Sequence, residues 1–223
     1  MEVERLILFS KAPRLHDVKT RLASTLTPDQ ALRLHEAMLN DQILFLSALR
    51  SVEREVEVCL DRPFADAALP VTLQGEGDLG ARMARALGRA FDAGAEAAAI
   101  LGADAPTLPR RLVEEALTLV RTGADAAIVP ALDGGYVLVA ARHPVPAIFR
   151  DIPWGTPSVV TATRRRAAEK GLVLAETEAW PDVDVAGDLP RLAAELASDP
   201  SRAPATAAFV ASLGLYGPQN PML

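Results

Sequence analysis

Three short stretches of this chain hold side chains whose types and spacing could do chemistry. Lys11, Lys19 and Arg21 fall within one polar segment that follows an apolar run. Arginine offers a planar fork of donors and lysine a point charge, so three cations there could hold a di- or triphosphate. The plainer reading is a solvated loop. Asp104 emerges directly from the apolar run Ala97-Ala98-Ala99-Ile100-Leu101, inside Gly102-Ala103-Asp104-Ala105-Pro106. A carboxylate in that position is costly to bury alone, which predicts a cation or a helix end as its partner. Capping of the helix near Pro109 is the structural alternative. Asp182 and Asp184 alternate along an extended segment and so share one side of it. They would repel each other without a metal or a basic partner. Oxygen ligands suit Mg²⁺ or Mn²⁺ rather than zinc, and one Asp from each of two strand ends, with substrate phosphates, is a common way to hold octahedral Mg²⁺. Asp188 reads as the N-cap of a helix beginning at Leu189.

Other patterns carry less. Gly75-Glu76-Gly77-Asp78-Leu79-Gly80 matches G-x-G-x-x-G, the basis of a reading as an NAD-dependent oxidoreductase. Against it, the preceding strand is only Val71-Thr72-Leu73, and Asp78 would oppose a pyrophosphate at the helix start. There is no G-x-x-x-x-G-K-[ST], so a P-loop is excluded. His16, His35 and His143 are scattered, Arg164-Arg165-Arg166 reads as a solvated helix face, and Trp154 and Trp180 read as packing residues. Trp154 also precedes a Gly-Thr-Pro helix start, where it could border a pocket.

The elements that must position these residues follow from hydrophobic periodicity. Residues 5–10 form a nearly continuous apolar run, as in a strand buried on both faces. Thr27-Pro28-Asp29-Gln30 is a helix start with a capping box, and the apolar spacing continues it to about Arg50. Strands are expected at 55–60, 71–73 and 97–101, with helices after Asp78 to Gly94 and from Pro109 to Gly123. Residues 126–130 and 136–140 flank Leu132-Asp133-Gly134-Gly135, the pattern of a hairpin. Thr156-Pro157 opens a further helix that Gly171 closes, 172–174 is a last strand, and helices follow from Asp188 and at 205–213. A loose tail is expected from Tyr216 to Leu223. Alternating strands and helices predict a mostly parallel α/β sheet, mixed by the hairpin, in which ligands collect beyond the carboxyl ends of the strands.

Composition bounds the function. The 223 residues are half hydrophobic but only 4% aromatic, so the core must be aliphatic. A net charge of −6, from 23 Lys+Arg against 29 Asp+Glu, opposes general nucleic-acid binding. Cys59 is the single cysteine, which leaves no internal disulfide and no thiolate zinc cage. No apolar run reaches the ~20 residues of a membrane span. The acidic start is unlike a secretory signal, and a soluble, cytoplasmic protein is expected.

Taken in order, Lys11-Ala12-Pro13, Val18-Lys19-Thr20-Arg21-Leu22, Gly77-Asp78-Leu79-Gly80 with Arg82-Met83, Gly102-Ala103-Asp104-Ala105-Pro106, Asp133-Gly134-Gly135-Tyr136, Trp154-Gly155-Thr156 and Asp182-Val183-Asp184 with Asp188-Leu189 form a familiar set. The set, spanning residues 5 to about 196, resembles the DUF2064 (transferase-1) family of GT-A-like transferases. The Val-Lys-Thr-Arg-Leu stretch and the Asp-Val-Asp end are also similar to the phospholactate guanylyltransferases. One departure stands out: the family usually has glycine where this chain has His16.

The resemblance implies a single-domain, Rossmann-like nucleotide-diphospho-sugar transferase fold over residues 1–198, with a C-terminal helix and tail over 199–223 packed on it. It implies Asp104 and Asp184 as ligands of Mg²⁺ or Mn²⁺. Lys11, Lys19 and Arg21, with Gly77, Asp78 and Arg82, would face the nucleotide phosphates. Asp133, Gly134, Gly135, Tyr136, Trp154 and Thr156 would form the acceptor pocket, and Asp104, Asp133 and Lys19 would be the catalytic groups, Asp133 orienting a hydroxyl or acting as base. The leading expectation is a metal-dependent transferase with a nucleotide or nucleotide-sugar donor and a small-molecule acceptor. Glycosyl transfer is put first because the Asp-Gly-Gly-Tyr loop is not the guanylyltransferase pattern. Nucleotidyl transfer with pyrophosphate release is the alternative, and a non-catalytic nucleotide-binding module is the third reading.

Overall fold

In the computed structural model, which describes residues 3–64 and 68–214, the apolar runs become strands of one sheet. Its strands are β1 (Glu4–Ser10), β2 (Arg54–Leu60), β3 (Val71–Leu73), β4 (Ala97–Gly102), β5 (Ala126–Pro130), β6 (Tyr136–Ala141) and β7 (Leu174–Glu176). They lie in the order β3-β2-β1-β4-β6-β5-β7 among the described residues. β6 runs antiparallel to both its neighbours, and the remaining pairs are parallel. The expected mixed, mostly parallel α/β sheet is therefore present.

The chain divides into two compact, interleaved units. The first comprises residues 1–12, 46–102 and 108–181, and it contains the sheet with α2 (Leu79–Asp92), α3 (Arg110–Arg121) and α4 (Val159–Glu169). Period-two alternation divides the strand side chains between its faces. Ile7, Phe9, Ala98, Ile100, Ile128 and Val139 join Met83, Ala86, Leu87 and Ala90 of α2 and Val160 and Ala167 of α4 in one aliphatic core. Leu6, Leu8, Leu101 and Val129 alternate with these and are also fully buried, while α3 packs on β4, β5 and β6. Burial on both faces is why these strands read as unbroken apolar runs.

The second unit comprises residues 13–45, 103–107 and 182–223. It takes most of α1 (Pro28–Leu49), together with α5 (Asp188–Ser198) and α6 (Pro204–Ser212). Leu22, Leu26, Leu34 and Met38 pack there with Val183, Leu189, Leu192, Leu196 and Val210. The capping box forms as expected: the Gln30 amide donates to Thr27 Oγ1 at 3.3 Å and the Thr27 amide to Gln30 Oε1 at 2.9 Å. Buried Asp41 caps α6, accepting from the amides of Ala205 and Thr206 at 3.0 and 2.8 Å.

Two element boundaries differ from expectation. The last strand is Leu174–Glu176, not 172–174. The Val173 carbonyl accepts from the amides of Asp125 and Ala126, and the Val173 amide donates to Asp125 Oδ2. Val173 thus closes a junction, and the ladder starts one residue later. α4 starts at Val159 rather than at Thr156-Pro157, because Thr156 is engaged in its own loop, its hydroxyl donating to the Pro153 carbonyl at 2.8 Å. The tail expected at 216–223 lies outside the described residues.

Candidate active site

The second unit gathers four of the charged residues singled out above. Lys19 precedes a 3-10 turn, Thr20–Leu22, and adopts the left-handed region with φ 50°. That backbone turns its side chain inward: it is only 3% exposed, and its ammonium donates to Asp104 Oδ1 and, at 2.6 Å, to the Val183 carbonyl. The Val183 amide in turn donates to the Asp104 carbonyl at 2.9 Å, so the segment bearing Asp182 and Asp184 is stitched to the loop bearing Asp104. Arg21 pairs with Asp184. The basic partners that the isolated aspartates required are thus lysine and arginine from the first loop.

Around this cluster the structure adds residues that the motifs did not reveal. Gln42, wholly buried on α1, donates to the Ala105 carbonyl, and Arg202 donates to the Thr107 carbonyl at 3.0 Å. These two side chains both hold the chain that follows Asp104. A buried glutamine in an otherwise apolar helical stripe was the available signal for the first. Asp104 does not cap α3: the helix begins after Pro109 with no side-chain cap. Nor is Asp188 the N-cap of α5, a position held by Gly187. Asp188 Oδ2 instead accepts from the amides of Asp184 and Val185, both at 2.8 Å, and so fixes the backbone that presents Asp184.

His16 also takes a left-handed backbone, with φ 66°. This is the position where the resembled family usually has glycine, and a non-glycine residue there carries a conformational cost.

No group of three or more His, Cys, Asp or Glu among the described residues is arranged to hold a metal ion. What the unit offers is two carboxylates on adjoining segments, with the Val183 carbonyl beside them. Hard oxygen donors of this number fit Mg²⁺ or Mn²⁺ if substrate phosphates and water complete the shell.

The first unit holds the remaining expected residues in two groups. At the β5–β6 turn, Asp133 Oδ1 accepts from the Gly135 amide at 2.8 Å, which commits one of its oxygens to the turn. Gly134 has φ 92°, and a Cβ there would meet the Pro157 carbonyl oxygen at 2.2 Å. Its own carbonyl accepts from the Val160 amide at 2.9 Å, so the turn is locked to the segment carrying Trp154 and Thr156. Tyr136 and Trp154 meet edge to face at 6.1 Å. The Tyr136 hydroxyl and Trp154 Nε1 are buried with no hydrogen-bond partner among the described residues, and burial pushes the Tyr136 phenol far up.

The second group is the glycine loop before α2. Asp78 is a true N-cap, accepting from the Ala81 amide at 2.8 Å. Arg82, expected to face phosphate, donates from Nε to the Gly77 carbonyl at 2.8 Å and from Nη1 to Gln74 Oε1 at 3.3 Å. Arg85 donates to the carbonyls of Gln74 and Glu76, and buried Gln74 donates to those of Ser10 and Cys59. Arg82 and Arg85 therefore hold the loop's shape. Lys11 is exposed at the end of β1, and the next residue is anchored by its amide to Asp61 Oδ1 at 2.7 Å. Burial would raise the Asp61 carboxyl, but the Ala12 amide and Arg62 hold it below the usual range.

A cavity of about 1160 Å³ lies elsewhere in this unit, at the amino ends of β1, β2 and β4. Arg54 forks there between Glu4 and Glu114, and Arg121 also pairs with Glu4. Its charges largely satisfy one another, as in a structural clasp.

The family model described as an uncharacterized protein conserved in bacteria (DUF2064) matches residues 32–156, more than half of the chain. The chain belongs to the DUF2064 family. A curated relative of this DUF2064 protein, the 2-phospho-L-lactate guanylyltransferase of Haloarcula marismortui, is 36% identical over 126 residues, which is 56% of this chain and 57% of the relative. The match thus spans little more than half of that enzyme. A solved structure from Desulfovibrio desulfuricans G20, described as a candidate nucleotide-diphospho-sugar transferase, superposes with a TM-score of 0.84 at 29% identity over 95% of both chains. CMP:2-keto-3-deoxy-manno-octonic acid synthetase, solved with CTP, superposes with a TM-score of 0.55 at 16% identity over 89% of this chain and all of that one. The fold is that of the nucleotidyl and nucleotide-sugar transferases. No helix among the described residues is long and apolar enough to cross a membrane.

Proposed function

We propose that this DUF2064 protein is a metal-dependent nucleotidyltransferase, taking a nucleoside triphosphate and a phosphorylated small-molecule acceptor and releasing pyrophosphate. The observation that carries the reading is the cluster of Lys19, Arg21, Asp104 and Asp184 within one unit. The guanylyltransferase relative supports putting nucleotidyl transfer ahead of glycosyl transfer, the reverse of the order suggested by the Asp-Gly-Gly-Tyr loop.

In this reaction an acceptor oxygen attacks the α-phosphorus, a new P–O bond forms, and the bond to the β-phosphate breaks as pyrophosphate leaves. Asp104 and Asp184 would hold Mg²⁺ or Mn²⁺, which when bound neutralises charge on the leaving phosphates. Lys19 and Arg21 would donate to those same oxygens once phosphate replaces Asp104 and Asp184 as their partners, a form of electrostatic stabilisation.

Glycosyl transfer from a nucleotide-diphosphate sugar is the second reading, favoured by the 29% identical relative from D. desulfuricans. The two are separated by product. Triphosphates are tested with 2-phospho-L-lactate as first acceptor, and nucleotide sugars with simple acceptors, each with Mg²⁺, Mn²⁺ or chelator. Pyrophosphate release is the expected result, nucleoside diphosphate release would move the assignment to glycosyl transfer, and binding without turnover would make the protein a nucleotide-binding module. A panel with neither binding nor turnover would overturn all three.

A further inference from the structure

We propose that Glu195 is a positioning residue for the cluster of Lys19, Arg21, Asp104 and Asp184. It holds two arginines, Arg191 and Arg202, which grip by their backbone carbonyls the segments that present Asp184 and Asp104. The inference rests on the proposed function for the reaction these segments serve, but not for the grip itself.

Asp188, Arg191 and Glu195 follow one another at spacings of three and four along α5, so they share one face of the helix. The 3-10 turn Pro200–Arg202 then brings Arg202 to Glu195. The result is a row of alternating charge. Arg191 lies 3.9 Å from both Asp188 Oδ1 and Glu195 Oε2, and Arg202 Nη1 lies 2.7 Å from Glu195 Oε1. Glu195 thus meets a different arginine with each of its oxygens. Each arginine spends its other terminal nitrogen on the candidate site: Arg191 Nη2 donates to the Asp182 carbonyl, and Arg202 Nη2 to the Thr107 carbonyl at 3.0 Å. At the head of the row, Asp188 Oδ2 accepts from the amides of Asp184 and Val185. The segments carrying Asp104 and Asp184 are therefore tied twice. One tie is direct, through the Val183 amide on the Asp104 carbonyl and through Lys19. The other runs through Arg191, Glu195 and Arg202.

Burial and helix position single out Glu195 in that second tie. Its side chain is 16% exposed, against 32% and 30% for the two arginines. A carboxylate in the last turn of a helix opposes the macrodipole, so α5 by itself would be better served by a neutral or basic residue. A carbonyl is a neutral acceptor and does not hold a partly desolvated guanidinium without an anion nearby. With the Glu195 charge removed, two like charges would face one neutral amide. Solvent, which already reaches both guanidiniums, would then draw them off the carbonyls of Asp182 and Thr107.

The test is amide hydrogen exchange, followed residue by residue by NMR on ligand-free protein, for wild type, Glu195→Gln, Arg202→Gln and the double variant. The Val183 amide reports the join between the two segments. The amides of Ala205 and Thr206, bonded to Asp41, report the integrity of the neighbouring α6. Glu195→Gln should speed Val183 exchange at least about tenfold and leave Ala205 and Thr206 within about twofold of wild type. Arg202→Gln should speed it at least about threefold. The double variant should exceed Glu195→Gln by no more than about twofold, since both changes break one chain of contacts. Unchanged Val183 exchange in Glu195→Gln, equal acceleration of all three amides, or multiplied effects in the double variant would overturn the inference. Should Glu195→Gln fail to fold, wild-type Val183 exchange in Arg202→Gln would overturn it equally. In the transfer assay, Glu195→Gln removes alignment but no binding group, so kcat should fall about tenfold with KM for the triphosphate within about threefold of wild type. An unchanged kcat beside faster Val183 exchange would overturn the positioning role. If wild type transfers nothing while the exchange results hold, the grip on the two segments stands and the transferase reading fails. If wild type turns over nucleotide but Val183 exchange does not respond, the transferase reading stands and the role of Glu195 is lost.

Discussion

Two glycines of α2 should respond to the same substitution with opposite signs. A glycine inside a helix costs about 0.5–1 kcal/mol relative to alanine, through backbone entropy. Around Gly88 nothing lies within 4 Å of an added Cβ, so Gly88→Ala collects that gain in full. At Gly80 the added Cβ would stand 2.3 Å from the Phe149 carbonyl oxygen and 3.1 Å from two atoms of the Trp154 ring. Relief requires α2 and the segment carrying Phe149 to part by about 1 Å, and overpacking of this kind costs roughly 1–3 kcal/mol. Gly80 also sits in the first turn, where the propensity gain is smaller. For a chain of this length 1 kcal/mol is worth about 2–4 °C. Gly88→Ala should therefore melt ~1–4 °C above wild type and Gly80→Ala ~2–12 °C below it, as read by circular dichroism with urea midpoints as a check. A Gly80→Ala variant as stable as Gly88→Ala would refute the close-approach argument.

Other expectations follow from single contacts. Gly134→Ala meets both a left-handed backbone, which costs about 1–2 kcal/mol for a side chain, and the Pro157 carbonyl at 2.2 Å. It should lower the urea-derived stability by at least ~2 kcal/mol, and an unchanged midpoint would contradict this. The Asp125 carboxylate is held well below its ordinary range, first by His143, then by the Val173 amide and Arg142. A depressed carboxyl stabilises the fold above its unfolded pKa and loses that contribution as pH falls through the folded value. Melting temperature should thus decline below about pH 4, and Asp125→Asn should flatten the acid limb while lowering stability near neutrality. Asp104→Asn should remove the metal-dependent part of nucleotide stabilisation and, by leaving the 3%-exposed Lys19 ammonium without its anion, also lower the ligand-free melting point, and an unchanged melting point would contradict this.

Local signals carried much of the fold. The Thr27–Gln30 box, the turn glycines of the β5–β6 hairpin and the two-faced apolar strands each act over a few residues, and each formed where its pattern stood. Junctions were less legible. Asp188 has the right type and place for an N-cap, yet its carboxylate serves the amides of Asp184 and Val185, because that loop folds back over the start of the helix. Arg82 was expected to face phosphate through the family resemblance alone. In the structure it donates to the Gly77 carbonyl and to Gln74 Oε1, contacts that depend on the folded glycine loop.

Residue chemistry along the chain singled out the candidate groups: three cations after the first strand, a lone carboxylate after the fourth, and a pair of aspartates near the end. It also required partners for those carboxylates, since unpaired charge beside an apolar strand is costly. Which partner belongs to which carboxylate was decided only in three dimensions. Lys19 meets Asp104 at a sequence separation of 85 and Arg21 meets Asp184 at 163, separations at which no local propensity acts. The same is true of Gly80 and Gly134, whose need for a missing side chain arises from a carbonyl brought against them by distant chain. Periodicity and capping act between neighbours, whereas charge pairing and close backbone approach depend on the folded path.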